Sequence, residues 1–226
     1  MYKGLEPNGG VCMRRFEYGR IQSLSWDMDI LSLIAGIYRA NGKEEVLLSQ
    51  SPAILDSLVE LAKVQSTEAS NAIEGIVTTS TRLRQLVADK TTPRNRDEQE
   101  IMGYRDALNV IHESYDSISL CRNHILQLHK ILYNYQFNAR GGQLKSVQNY
   151  ISATYPDGQT EVLFTPLAPY ETAEALDQIC AEYNRVVGNG EVEPLLVIPI
   201  FIHDFLCIHP FNDGNGRMSR LLTTLL

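Results

Sequence analysis

Apolar residues recur at helical spacing along most of this chain, and one short stretch alternates instead. WDMDILSLIAGIYRA, residues 26–40, has apolar positions three and four apart and predicts a helix that stops at Asn41-Gly42. Ser51-Pro52 predicts the start of a second helix, a hydroxyl N-cap followed by proline at the first helical position. Its stripe is Ile54, Leu55, Leu58, Leu61 and Val64, running on towards Ser70 and breaking at Gly75. A short helix is expected over 81–88. The polar stretch 89–97, DKTTPRNRD with Pro93, reads as a linker, so that an N-terminal helical region over 1–95 precedes a second helical core over 96–226. The core pattern predicts helices over 98–115, 122–134 and 171–187. A fourth, over 194–207, is apolar nearly all round, as a central helix is, with Pro199 bending it. The alternating stretch lies before the third of these. Tyr150, Ile151 and Ser152 lead to the turn Pro156-Asp157-Gly158, and Val162, Leu163 and Phe164 follow, which predicts a β-hairpin. A last helix starts at Gly216 and runs to Leu226. The first 25 residues show no clear period beyond possible short strands. The fold class is therefore mostly α, a helical bundle with one small hairpin.

Composition changes this picture little. A hydrophobic fraction of 44% and a charged fraction of 21% suit a globular domain with a core of its own. Twenty Lys plus Arg against 27 Asp plus Glu give a net charge of -7, opposite to what a binder of nucleic-acid backbone needs. Nucleic acid is expected only through a region outside this chain. Cys12, Cys121, Cys180 and Cys207 have no metal-ligand spacing and read as reduced thiols in a cytoplasmic protein. The apolar stretch near residue 200 is interrupted by Pro199, His203 and Asp204, so no membrane span is expected. His124 and His129 stand five apart, and His112 and His203 are isolated, which disfavours a histidine metal site. His203 reads as a core histidine, Trp26 as a core or domain contact, and Glu113 and Asp116 as a solvated face.

Chemistry concentrates in residues 209–220, HPFNDGNGRMSR. Gly214, Asn215 and Gly216 admit positive φ angles that would turn successive N–H groups inwards as an anion nest. The helix that follows adds free N–H groups and the positive end of its dipole. Arg217 and Arg220 are three apart and share one helix face. Asp213 beside such a nest would be repelled by phosphate unless a divalent cation such as Mg²⁺ lay between them. His209, at the end of a core helix, has the side chain best suited to take a proton from a hydroxyl near neutrality. Each feature alone is commonly structural; their conjunction within twelve residues points to a phosphoryl-type transfer site.

This segment resembles the Fic signature, HPFx(D/E)GNGRxxR, at every specified position. The resemblance implies a Fic-type helical core over 96–226, with further helix and the adenine contacts beyond Leu226. It also implies transfer of AMP from ATP to a Ser, Thr or Tyr hydroxyl of a target protein, with self-modification and a homodimer as further expectations. On that basis His209 is the general base and Asp213 the Mg²⁺ ligand. Gly214, Asn215 and Gly216 cradle the phosphates, with Arg217 near the α- and β-phosphates and Arg220 on the γ-phosphate. Phe211 anchors the loop in the core. The hairpin resembles the flap that docks target backbone by strand addition. Upstream, Ser70, Glu74 and Gly75 resemble the family's inhibitory motif, (S/T)xxxE(G/N), which implies a buried pairing of Glu74 with Arg220. Relatives on this scaffold also remove AMP or move phosphate or phosphocholine; a non-catalytic regulatory module is the remaining alternative.

Overall fold

The computed structural model describes residues 16–50, 52–136 and 141–226. Cys12, the Ser51 cap, the Leu55 side chain and the expectations for residues 1–15 lie outside what it describes. The described elements are α1 (Met28–Gln50), α2 (Pro52–Ile73), α3 (Ser80–Val87), α4 (Arg96–Ser114), α5 (Arg122–Leu132), β1 (Ile151–Thr154), β2 (Thr160–Phe164), α6 (Pro169–Gly188), α7 (Pro194–Ile208) and α8 (Asn215–Leu225). Two short 3-10 helices, Tyr18–Ser23 and Tyr115–Ser117, accompany them. The class is the expected one, helices with one antiparallel two-stranded sheet. No helix among the described residues is long and apolar enough to cross a membrane.

The helix starts follow local chemistry. Thr79 Oγ1 accepts from the Arg82 amide at 3.3 Å, and Asn95 Oδ1 accepts from the Glu98 amide at 2.9 Å. Proline occupies the first position of both α6 and α7. One expected boundary is wrong: α1 does not stop at Asn41-Gly42 but continues to Gln50. A mid-helix glycine costs only about 1 kcal/mol, and the good helix formers that follow, Lys43 to Leu48 among them, outweigh it.

The main core is built around α7. Val197, Phe201, Phe205 and Ile208, four and three residues apart, are fully buried between α6, α8 and neighbouring helices. Pro199 lies on the exposed side of the same helix, where its missing N–H is tolerated. His203 is not the core histidine expected; its side chain is half exposed, beside Asp204 and Cys207. Trp26 packs on the edge of the main core. A second, smaller cluster joins Leu83, Leu86 and Val87 of α3 to Ile101 and Met102 of α4, with Val64 of α2 packed against it. This cluster draws on both sides of residue 95, and the 89–97 stretch is itself tied down. The buried Arg82–Glu98 pair at 2.8 Å also holds Thr91 and Thr92, and buried Arg105 reaches the Leu86 carbonyl and Asp89. The α2 stripe buries less than its pattern suggests, since Ile54, Leu58 and Leu61 are all more than half exposed.

Two features position the site. α4 crosses α5 at Gly103, where a Cβ would lie 2.7 Å from the Leu132 carbonyl carbon, so only glycine admits this approach. That contact sets Tyr133 under the loop after α7. The hairpin pairs Ser152 with Val162 and Thr154 with Thr160, turns at Gly158 (φ 83°), and exposes nearly every side chain.

Candidate active site

The loop between α7 and α8 is held from within and from below. His209 caps α7 in the left-handed region (φ 51°, ψ 62°), an uncommon conformation for a residue with a side chain. Phe211 is fully buried, as expected, and stacks on His129 with ring centroids 3.7 Å apart. His129 in turn accepts from the Gly142 amide on Nδ1 at 2.9 Å, so its proton sits on Nε2, 3.1 Å from the Asp213 carbonyl. Burial pushes this imidazole from its ordinary 6.5 down to about 4. The unfolded chain therefore takes up a proton between pH 6.5 and 4 that the folded one refuses, and stability falls as pH drops through that window. The expected loss is about 3 kcal/mol, read as a pH-dependent urea midpoint that His129→Gln flattens.

His209 Nδ1 lies 3.3 Å from the Leu206 carbonyl, which can only accept. The proton therefore sits on Nδ1 and leaves the Nε2 lone pair available. Burial first, then the Lys145 charge, lower the pKa of His209, while the Leu206 carbonyl and Glu74 act against them. The lowered pKa favours the neutral imidazole, the form in which a histidine can accept a proton.

The backbone here differs from the expected nest. Gly214 is left-handed (φ 81°), but Asn215 and Gly216 already belong to α8. The free N–H groups are thus those of the first turn of a helix entered through one glycine, the kind of feature that suits an anion. Asn215 is not a phosphate ligand through its side chain. Its amide accepts from the Phe211 N–H at 2.9 Å and donates to the Phe211 carbonyl at 2.7 Å, closing the loop on itself.

Arg217 also departs from expectation. Its guanidinium is 2% exposed and donates to Glu100 at 2.7 Å and to the Tyr133 hydroxyl at 3.0 Å. A chain of 117 positions separates Arg217 from Glu100, so no local pattern signalled the pair. Removing one partner of a buried ion pair strands the other charge. Glu100→Ala is expected to lower stability by about 3–5 kcal/mol in denaturant unfolding, whereas Arg96→Ala, on the exposed side of the same carboxylate, changes it by about 1 kcal/mol or less.

Asp213 is mostly exposed; its Oδ1 accepts from the Gly214 amide at 2.6 Å and lies 3.8 Å from the Arg217 guanidinium. Among the described residues no group of three or more His, Cys, Asp or Glu could hold a metal. A lone carboxylate with oxygen to spare beside free N–H groups fits Mg²⁺ held jointly with phosphate and water, not a protein cage.

Arg220 donates to the Ser70 hydroxyl at 2.7 Å, to its carbonyl at 3.0 Å and to Glu74 at 2.6 Å. The sequence motif therefore brings these residues together across 146 positions. The pair is not buried: the side chains are 29% and 37% exposed, which removes the large breaking cost of a buried pair. What fixes Glu74 is backbone. The Ile76 amide bonds to the Asn71 carbonyl and the Gly75 amide to that of Ala72, both at 3.0 Å, with Gly75 at φ 76°. This is a Schellman ending, and it makes Glu74 the C-cap of α2 and requires glycine after it. The Glu74 carboxylate presses against Gly216, where a Cβ would collide with it. Glu74, Arg96, Asp97, Glu100, Asp213 and Arg217 line one open cleft of about 310 Å³.

A mostly helical domain with one small hairpin, in which a histidine ends α7 shortly before α8 begins, is a fold of known kind. Residues 119–226 match the Fic/DOC family model, and this domain belongs to that family. The chain is 26% identical over 136 residues to Protein adenylyltransferase fic-1 of Caenorhabditis elegans, covering 58% of this chain and 24% of that protein. It is 26% identical over 161 residues to Protein adenylyltransferase Fic of Nematostella vectensis, covering 68% and 34%. The chain thus spans about a quarter to a third of the length of these relatives. A Fic-domain-containing signaling protein from Bacteroides thetaiotaomicron shares the fold, with a TM-score of 0.72 at 24% identity over 84% of this chain and 71% of that one.

Proposed function

We propose that this chain transfers AMP from ATP to a Ser, Thr or Tyr hydroxyl of a protein, and that Glu74 restrains it. The observation that carries the reading is the placement of His209, its Nδ1 turned to the Leu206 carbonyl, within twelve residues of the α8 N-terminus and of Arg220. Relatives named protein adenylyltransferase support the reaction type. The target hydroxyl gives its proton to His209 Nε2 as its oxygen attacks the α-phosphorus. The bond from that phosphorus to the oxygen bridging to the β-phosphate breaks, and diphosphate leaves. Asp213 would hold Mg²⁺, which neutralises phosphate charge when bound. The first-turn N–H groups of α8 hold phosphate oxygens, and Arg220, once released by Glu74, takes the γ-phosphate. The exposed edges of the hairpin, with Val162 and Phe164 beside Ile151, offer backbone for the target segment to pair with. The region up to residue 95 supplies the restraint and the rest the transfer site.

ATP labelled at the α- or the γ-phosphate tests the reaction. Protein in the Glu74→Gly form should acquire the α label and none of the γ label; γ transfer would make the enzyme a kinase. Removal of AMP is the second reading, favoured by a half-exposed Glu74 carboxylate within electrostatic reach of His209, where it could hold a hydrolytic water. Glu74-dependent release of AMP from modified protein would select it.

A further inference from the structure

The backbone of the catalytic loop is gripped by a segment that the transfer reaction does not use. Four successive carbonyls, those of residues 208 to 211, accept from two residues just ahead of β1. Lys145 Nζ donates to Ile208 at 2.9 Å, and the Lys145 amide donates to Pro210 at 2.8 Å. Asn149 Nδ2 donates to His209 at 3.4 Å and to Phe211 at 3.0 Å. Lys145 and Asn149 are joined to each other at 3.0 Å. We infer that Lys145 and Asn149 are positioning residues for His209, and that they couple the hairpin to it.

Three observations support this. First, the last carbonyls of α7 lack helical partners, and a left-handed His209 persists only where its surroundings over-determine it. The clamp supplies both the partners and the constraint. Second, Lys145 is 3% exposed, yet its ammonium donates to two uncharged oxygens. Burial pushes it down to about 8, a standing cost that a neutral side chain would avoid. A cation at a helix C-terminus beside the base is the compensation. The charged groups acting on His209 are Lys145, ahead of β1, and Glu74, at the end of α2, with opposite signs. Third, the same segment forms the base of the hairpin, since Gln148 Nε2 donates to the Pro166 carbonyl at 3.0 Å, just past β2. A peptide strand seated on the hairpin therefore pulls on the segment that fixes His209.

The catalytic arm of the test rests on the AMP-transfer reading; a titration arm does not. Lys145→Met, Lys145→Arg and Asn149→Ala are made in the Glu74→Gly form. The measurements are initial rates of AMP incorporation and the His209 imidazole titration by NMR, its signal identified by its loss in His209→Ala. Lys145→Met should lower kcat by about tenfold or more while KM for ATP stays within about twofold, and Lys145→Arg should recover most of the loss. The His209 titration should move to higher pH in Lys145→Met. Asn149→Ala, at a partly buried uncharged position, should lower kcat and shift the His209 signal, and it carries the test alone if Lys145→Met does not fold. Folded variants with unchanged kcat and unchanged His209 signals overturn the inference. If Glu74→Gly incorporates no AMP, the AMP-transfer reading fails, and the titration still decides the role of the clamp.

Discussion

Glu74→Gly raises AMP incorporation, measured as self-modification with α-labelled ATP, by more than roughly tenfold, equivalent to about 1.4 kcal/mol of barrier. The physical basis is placement more than pair strength. An ion pair this exposed contributes only about 0–1 kcal/mol, so the Glu74–Arg220 contact alone cannot be the restraint. The Schellman ending of α2 fixes the backbone of Glu74, and the missing Cβ of Gly216 lets the carboxylate settle on the first turn of α8. A negative group then stands where phosphate oxygens would take the same N–H groups, while Ser70 holds the other side of Arg220. On the proposed reading, ATP would have to displace this carboxylate or bind misaligned. Glycine at 74 removes the charge and the bulk together. A Glu74→Gly protein no faster than wild type would remove the restraint from the account.

His209→Ala in the Glu74→Gly form lowers kcat by roughly a thousandfold, within the range expected for a lost general base, and leaves ATP affinity within about threefold. The geometry separates these two quantities. His209 belongs to the C-terminal end of α7, whereas the groups proposed to hold phosphate belong to α8. Its Nδ1 proton is committed to Leu206, so only Nε2 is lost to chemistry. Rates and calorimetric ATP binding on the same preparations check the split. A variant that loses ATP binding and rate in proportion would make His209 a structural residue.

Much of this site is legible in the sequence because it is local. His209, Phe211, Asp213, Gly214 and Arg220 sit within twelve positions of one another, and loop and helix geometry follow from that spacing. Glu74 is located through the resemblance of residues 70–75 to the family's (S/T)xxxE(G/N) motif, not through local chemistry, since a Glu before a helix-ending glycine is common. What could not be read is non-local. Arg217 pairs with Glu100 on α4, His129 on α5 supports the loop from below, and Lys145 grips it from the segment before β1. None has a periodic or compositional signal, since each depends on where a distant helix happens to pass. The side-chain role of Asn215 could not be read for a related reason: a buried amide serves whichever backbone groups are nearest, and these belong to Phe211. In the fold, the hydrophobic period found the helices, but Gly42 was taken for a stop that its neighbours override.

The most direct measurement is a crystal structure of the Glu74→Gly protein with ATP and Mg²⁺. The account predicts the triphosphate on the first-turn N–H groups of α8, with Arg220 turned from Ser70 to the γ-phosphate and the α-phosphorus open to a hydroxyl beside His209. A nucleotide bound elsewhere, or an Arg220 still on Ser70 with the nucleotide in place, would contradict it.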